Sequence, residues 1–468
     1  MTLLREPLSK VYIRNDIQKQ KLKIYEYFTN IFIVACLLVC DFTSSFNLKH
    51  IPFSGTAYFN AQNGCQKSTT IGEYSYISHT NYFSPTGCPP RTDADFRNKK
   101  YGSHHKNDTP LLRLSIDMIK DFPVGDSLHL IDLGITKKLL LGWRDGKFGT
   151  LNTKWPAITV TNLSQKLLQL KMPREIHRAL RGLDCIGHWK GLEFRTFLHY
   201  VSIVVLKPFL SSDVYEHFLS FFCAITICSS EGHSHLLDLA NMLLAHFLNH
   251  FKDFYGEDYV SSNVHNLCHL VDDVKRFGIL SKFSAYPYEN KLYQIKNLIR
   301  SGKNPLSQIA KRLSELNQIS KNVDHNQDKN NSPPVLKKEI VNFKIPDNEP
   351  FFDSKTRAYG QIDQKGVSLS SDFPNQWFLT KSNEVVAMNV AFKNDKEEIK
   401  IRGSCLRRLK PFFVTPIRSS VLHIHQAVHS ESNIKYYDLR DIKCKMVAIP
   451  IDDKKNTVFI PLLHTLLY

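Results

Sequence analysis

The sequence predicts an α+β protein in which a long helical region precedes a C-terminal region of short strands. Between residues 171 and 254, apolar residues recur every three or four positions, which is the spacing of packed amphipathic helices. After residue 340 the pattern changes to short alternating runs separated by Gly, Asn and Asp, which is typical of an all-β barrel or sandwich. A polar stretch at 318–339, which contains Pro333-Pro334, predicts a boundary between the two regions.

The net charge of the chain indicates which class of binding partner to expect. The chain has 468 residues and a net charge of +17, and such a surplus favours polyanions, either nucleic acid or an anionic membrane surface. A basic protein with no polyanionic partner is the simpler alternative. The ten cysteines are scattered along the chain, so we expect reduced thiols in a nuclear or cytosolic protein and no secreted disulfide scaffold.

The N-terminal region contains one apolar run, IFIVACLLVC at 31–40, which ends at Asp41. These ten residues are too few for a bilayer, which needs about twenty. Their Ile and Val content predicts a buried strand. An acid directly after such a strand is where α/β folds place chemistry, although a solvated strand end is the simpler interpretation of Asp41. A membrane anchor at 28–40 is a weaker hypothesis.

Three features of the helical region carry specific predictions. The segment MPREIHRALRG at 172–182 is predicted to be a helix, with Pro173 in its first turn. Asp132 is predicted to be an early-helix acid that complements the helix dipole. Glu193 and Arg195 are expected to form a buried polar cluster without a catalytic role.

A candidate metal site begins with His265 and His269, which stand four residues apart and would share one helix face. The segment Cys65-Gln66-Lys67-Ser68 has the spacing of a zinc knuckle, but serine occupies the place of the second cysteine. Glu289 follows His265 by 24 residues, at the head of a basic amphipathic helix. A carboxylate beside Lys and Arg suits phosphate chemistry.

The basic residues of that predicted helix are Lys291, Lys296, Arg300 and Lys303. The last three follow the spacing i, i+4, i+7, which would place them on one helix face where they could line DNA phosphates. A solvated charged face without a ligand explains the same pattern equally well.

Several segments together resemble a known group of proteins. They are HLIDLGITKKLLLGW, MPREIHRALRG, HWKGLEFRTFLHYVSIVVLK, NVHNLCHLVDDVKRFG and FSAYPYENKLYQIKNLIRSGKNPLSQIAKRL. They resemble invertebrate transposase-derived proteins, which are similar to CACTA (En/Spm-type) transposases and, more remotely, to the catalytic subunit of the V(D)J recombinase. The resemblance extends over roughly residues 30–315, and the tail from 340 resembles the β-rich tail of the same proteins more weakly.

The resemblance implies an RNase H-like core in which three acids bind two Mg²⁺ or Mn²⁺ ions for phosphodiester cleavage. It also implies a large helical insertion, about residues 130–260, that is braced by zinc. Carried over to this chain, the second and third acids fall on Asp41 and Glu289. The zinc ligands fall on Cys65, His265 and His269, and Ser68 stands in for the fourth.

No residue in 1–30 matches the first acid of the resemblance, and Asp16 is a poor substitute because its context is helical and basic. We therefore expect an incomplete RNase H-like core, vestigial acids at Asp41 and Glu289, and an incomplete zinc site. The expected function is that of a nuclear, DNA-binding or interaction protein derived from a cut-and-paste transposase and without catalysis. An active DDE-type transposase or nuclease, using Mg²⁺ or Mn²⁺, is the alternative.

The expected organisation and partners follow from this resemblance. A polar segment at 1–30 precedes a transposase-derived domain at 31–316, a linker at 317–340 and a β-rich domain at 341–468. DNA is the expected partner and a membrane is not. A homodimer is left open.

Overall fold

The computed structural model describes residues 54–83, 87, 89–148, 154–321, 333–341, 343–344, 351–364, 366–428, 432–452 and 456–466. Asp41 and the apolar run at 31–40 lie outside these residues, as does the centre of the predicted linker.

The chain is divided into two compact units, each built from segments that are distant in sequence. The first unit combines 1–69, 90–121 and 285–324. The second combines 70–89, 122–284 and 325–468. The domain boundaries expected from the sequence stay a prediction.

The α-helices of the described residues are α1 Asp93–Arg97, α2 Lys137–Asp145, α3 Ala157–Gln169, α4 Gly191–Thr196, α5 Ser202–Val205, α6 Ser212–Cys228, α7 Leu237–Tyr255, α8 Ser262–Asn266, α9 Leu270–Phe277, α10 Tyr286–Asn297 and α11 Pro305–Lys321. Two π-helical segments, Ser127–Thr136 and Phe197–Val201, lead into α2 and α5. Short 3₁₀ turns connect several of these helices.

The strands are β1 Glu73–Ser75, β2 Thr80–Tyr82, β3 Val335–Glu339, β4 Arg357–Gln364, β5 Val367–Ser370, β6 Trp377–Thr380, β7 Val385–Lys393, β8 Ile399–Leu406, β9 Lys410–Pro411, β10 His425–Val428, β11 Ser432–Asp438, β12 Ile442–Pro450 and β13 Asn456–Pro461. β1 and β2 form a small hairpin, and the other strands form an 11-stranded sheet. All of their pairings are antiparallel.

The predicted α+β class is confirmed, with helices followed by an antiparallel β region. The alternating runs that indicated strands correspond to β4, β6, β7, β8, β10, β12 and β13. In β7, for example, seven of nine residues are buried, because neighbouring strands and packing on both faces cover the strand. Long apolar runs are what such covered strands require.

The main hydrophobic core of the second unit joins helices and sheet. It extends from Leu130 through α6 and α7 to Phe283, and it also includes Phe412, Ile424, Val447 and Ile460 of the β region. Three smaller hydrophobic clusters lie in the β region. The β region and the helices therefore bury apolar surface against each other, which is the dominant favourable contribution to their association.

The predicted helix at 172–182 is wrong, because the chain there forms only a turn and a bend. Arg174 and Glu175 instead reach across to the sheet. The backbone N–H of Arg174 donates to Asn375 Oδ1 at 3.0 Å, and Glu175 Oε1 accepts from the backbone N–H of Ser368 at 3.0 Å. These tertiary bonds outweigh a local helix propensity that is worth only fractions of a kcal/mol per residue.

The predicted role of Asp132 is also wrong. The residue that caps the start of the segment Ser127–Thr136 is Asp126, whose carboxylate accepts from the N–H groups of Leu128 and His129. Asp132 lies beyond the first turn and is only 1% exposed. An interior carboxylate of this kind does not complement a helix start.

Candidate metal centre and basic surface

The two histidines of the candidate metal centre lie at the junction between α8 and α9. His265 belongs to α8 and is 2% exposed, with its ring stacked on Phe83 at a centroid distance of 5.7 Å. His269 ends a short 3₁₀ turn directly before α9. The helix expected across the pair is thus interrupted, but the two rings still lie 5.4 Å apart.

The cysteine half is a tight turn at Cys65–Ser68, and both of these residues are 3% exposed. The backbone N–H of Ser68 donates to Cys65 Sγ at 3.3 Å, and Ser68 Oγ lies 3.2 Å from the same sulfur. Arg91 stabilises this turn, because its Nε donates a hydrogen bond to the carbonyl of Cys65 at 3.1 Å. The thiolate is the form of cysteine that binds metals.

Cys65 belongs to the first compact unit, and His265 and His269 belong to the second. The Cys/His/His metal-binding group that would join these three residues stays a prediction. One thiolate and two imidazoles fit the donor set of Zn²⁺, which is tetrahedral in structural sites and needs a fourth ligand. Ser68 occupies the position expected for that ligand, and a neutral hydroxyl is a much weaker donor than a thiolate.

Glu289 lies in the first turn of α10, as predicted, and is half-buried. Its expected partner Asp41 falls outside the described residues, so the pairing of these two acids stays a prediction.

The basic residues differ from their expected arrangement. Lys291 and Lys296 lie on α10 and are exposed, as predicted. The helix ends at Asn297, so Arg300 and Lys303 belong to the connection before α11 and the predicted i, i+4, i+7 face is wrong. Pro305 begins α11, and the residue before it, Asn304, has a φ of 50°, so helical backbone does not continue from the connection into α11.

One side chain organises the connection between α10 and α11. Gln308 Nε2 donates to the carbonyls of Ser301 and Lys303, at 3.0 and 2.6 Å, and Gln308 Oε1 accepts from the N–H of Arg300 at 2.9 Å. Arg300 and Lys303 are both exposed on this fixed loop. We refer to residues 286–316 as the basic hairpin.

The basic hairpin carries more cations than the four predicted from the sequence. Lys311 is exposed and Arg312 is half-buried on α11, which raises the count to six Lys and Arg against Glu289 and Glu315. The sequence alone shows that Lys311 and Arg312 are basic. It does not show the role of Gln308, because a glutamine that bonds loop carbonyls has no pattern that distinguishes it from a surface glutamine.

A second group of basic residues is used internally. Glu193 is 0% exposed and accepts from Arg181 at 2.6 and 2.7 Å and from the N–H of Lys190 at 2.8 Å, with Arg178 at 3.6 Å. Burial by itself raises the pKa of Glu193, but the bonds from Arg181 and from the backbone of Lys190 outweigh it and hold that pKa below its usual value. The predicted buried polar group at this place is confirmed for Glu193.

A buried lysine joins the helical region to the sheet. Lys445 of β12 is 0% exposed, and its ammonium donates to Glu175 at 2.8 Å, to the Ser368 carbonyl at 2.5 Å and to Asn375 Oδ1 at 3.0 Å. Burial lowers the pKa of Lys445, and the Glu175 carboxylate partly offsets that effect. We refer to Lys445 and Glu175 as the buried ion pair.

Comparisons with known proteins bear on the β region alone. Residues 345–462 match a family described as a domain of unknown function, DUF8592. No curated protein matches the chain, and no solved structure does. Within the part of the chain that the structure describes, no helix combines the length and the hydrophobicity that a membrane span requires.

Proposed function

We propose that the protein is a nuclear DNA-binding protein descended from a cut-and-paste transposase of RNase H-like fold, and that it no longer catalyses cleavage. The observation that carries the proposal is the basic hairpin, in which Lys291, Lys296, Arg300 and Lys303 are exposed around a loop fixed by Gln308. The resemblance of the sequence to transposase-derived proteins supports the ancestry.

Exposed cations on a short segment suit the phosphate backbone. Each phosphate that a lysine or arginine neutralises releases counterions, so the affinity falls steeply with salt and depends little on base sequence. Tyr293 lies on the same helix and is 65% exposed, which offers a stacking surface to unpaired bases. We therefore expect the basic hairpin to bind both single-stranded and double-stranded DNA.

The test is DNA binding by fluorescence anisotropy over a range of KCl concentrations, with duplex and single-stranded oligonucleotides of unrelated sequence. The triple variant Lys291→Gln/Lys296→Gln/Lys303→Gln should bind more weakly. The slope of log affinity against log salt should fall by about one unit for each phosphate that the variant no longer neutralises.

The matched control removes three charges from exposed lysines of the second unit, as Lys154→Gln/Lys381→Gln/Lys396→Gln. Its net charge equals that of the hairpin variant. Equal decreases of affinity in the two variants would mean that net charge alone attracts DNA, and no binding at low salt would refute the proposal.

The proposal assigns Zn²⁺ to Cys65, His265 and His269. When bound, the ion would act structurally, by holding together side chains that come from separate parts of the sequence. Metal analysis of purified protein should find zinc, and a strong chelator should lower the midpoint of thermal unfolding. Ser68→Cys would supply a fourth ligand and should slow the loss of zinc to the chelator, whereas Ser68→Ala should not.

The absence of catalysis has its own test. Supercoiled plasmid incubated with the protein and Mn²⁺ should stay intact, and Glu289→Gln should change nothing. Cleavage that depends on Glu289 would establish the alternative, an active DDE-type nuclease or transposase.

A further inference from the structure

Helix α7 carries a second histidine pair at the same spacing as the candidate metal centre, on its exposed face. His246 and His250 are both exposed, and their ring centroids lie 4.7 Å apart. The opposite face, with Phe247 and Phe251, is completely buried, so the helix backbone beneath the pair is fixed by the core. Residues four apart on a helix lie side by side.

The hydrogen bond of His250 fixes which of its nitrogens is free. Its Nδ1 lies 3.2 Å from the carboxylate of Asp253, which accepts but cannot donate when ionised. The Nδ1 therefore carries the hydrogen, and in the neutral ring Nε2 carries the lone pair. A carboxylate on the far nitrogen is the arrangement that orients histidines which bind metals.

His246 is in the same tautomeric state for a different reason. Its Nδ1 lies 3.3 Å from the hydroxyl oxygen of Ser220, and that hydroxyl donates its single hydrogen to the carbonyl of Glu216. With the hydroxyl donating to Glu216, the Nδ1 of His246 donates to Ser220 Oγ, which leaves the lone pair on Nε2.

We propose that His246 and His250 form a second metal site, which binds one borderline divalent cation such as Cu²⁺, Ni²⁺ or Zn²⁺ through their two Nε2 atoms. Imidazole nitrogen suits these ions, and Mg²⁺ and Ca²⁺ prefer oxygen ligands. Water completes the coordination. Asp253 is a positioning residue, which sets the tautomer of His250 and places a negative charge beside the cation.

The probe is Cu²⁺, added to chelator-treated full-length protein and followed by electron paramagnetic resonance, with Ni²⁺ titrated by calorimetry. The wild-type protein should bind one more equivalent of Cu²⁺ than the double variant His246→Ala/His250→Ala, and the signal that disappears should be that of nitrogen ligands. Asp253→Ala should weaken binding about 10-fold or more, the usual effect of removing a partner of a metal-bound histidine.

The matched control is His177→Ala, an exposed histidine of the same unit with no histidine four residues away. It should leave the number of bound ions unchanged. All of the replaced side chains are exposed, so circular dichroism and thermal unfolding should match those of the wild type. An unchanged Cu²⁺ stoichiometry in the folded double variant, or an equal decrease in the His177 variant, would overturn the proposal.

This test is independent of the Cys65 centre. Loss of zinc from Cys65, His265 and His269 would change the thermal midpoint in the chelator experiment but would leave the α7 signal in place.

Discussion

Two segments of the chain carry the same number of cations and use them in opposite ways. Residues 171–195 and the basic hairpin, 286–316, each contain six Lys and Arg. In the first segment Arg178 and Arg181 surround the buried Glu193, and Arg174 donates to Ser368 of the sheet. In the hairpin, Lys291, Lys296, Arg300 and Lys303 face water.

The difference lies in the acids that the tertiary structure supplies. Glu175 and Glu193 belong to the first segment and are buried or half-buried, so the charges around them stabilise the fold. The basic hairpin also contains two acids, Glu289 and Glu315, but its cations Lys291, Lys296, Arg300 and Lys303 are exposed and therefore available to an external polyanion. The number of basic residues therefore does not by itself indicate a binding surface.

The largest expected effect comes from Glu175→Gln, which leaves the ammonium of Lys445 buried without a counter-charge. A buried charge whose partner is removed costs about 3–5 kcal/mol of unfolding free energy. Urea unfolding followed by circular dichroism measures it.

The double variant Glu175→Gln/Lys445→Met is the control, since an apolar side chain of similar length needs no counter-charge. It should recover most of the stability. If Glu175→Gln alone unfolds at the wild-type urea concentration, the buried ion pair is not structural and the contrast between the two segments fails.

Glu193→Gln should have the next largest effect, about 1.5–3 kcal/mol, which is typical for hydrogen bonds to a charged group. The effect is smaller than for Glu175 because Arg178 and Arg181 are 46% and 41% exposed, so water screens them when the carboxylate is gone. Asp184→Asn, an exposed acid in the same segment, should leave the urea midpoint unchanged.

Acidification should lower the stability of the second unit through its buried His217. Burial lowers the pKa of His217 to about 4, whereas an unfolded histidine titrates near 6.5. Between these pH values the unfolded state binds the proton and the native state does not, so stability falls as pH falls. From pH 7 to pH 5 this one histidine should reduce the unfolding free energy by about 2 kcal/mol.

His217→Phe should remove that contribution and flatten the dependence of stability on pH by about one proton. The ring of His217 stacks on Phe247 at 4.4 Å, so another aromatic ring suits the position. An unchanged pH slope in this variant would show that His217 does not titrate across this range.

The smallest expected effect on stability is that of Lys291→Gln/Lys296→Gln. Both side chains are exposed on α10, so the unfolding free energy should change by less than about 0.5 kcal/mol. DNA binding should nevertheless weaken. A decrease of stability as large as that of Glu193→Gln would mean that the hairpin cations are structural.

The sequence supported some parts of the candidate sites and not others. The exposed lysines of α10 could be predicted, because a basic residue on a short amphipathic helix faces water unless an acid covers it. The places of Arg300 and Lys303 could not, because α10 ends at Asn297 and the connection after it is held by hydrogen bonds of Gln308. The pairs His246/His250 and His265/His269 have the same spacing in the sequence and differ only in the residues that surround them in the structure.

The sequence by itself determined the succession of helices and strands, since hydrophobic periodicity is a local property of the chain. It determined the seven alternating runs that became strands and the helical nature of the region around α6 and α7. Only the tertiary structure decided that 172–182 is not helical and that Lys445 meets Glu175. These outcomes depend on groups far apart in sequence, and their hydrogen bonds and charges exceed the small local preference for a helical turn.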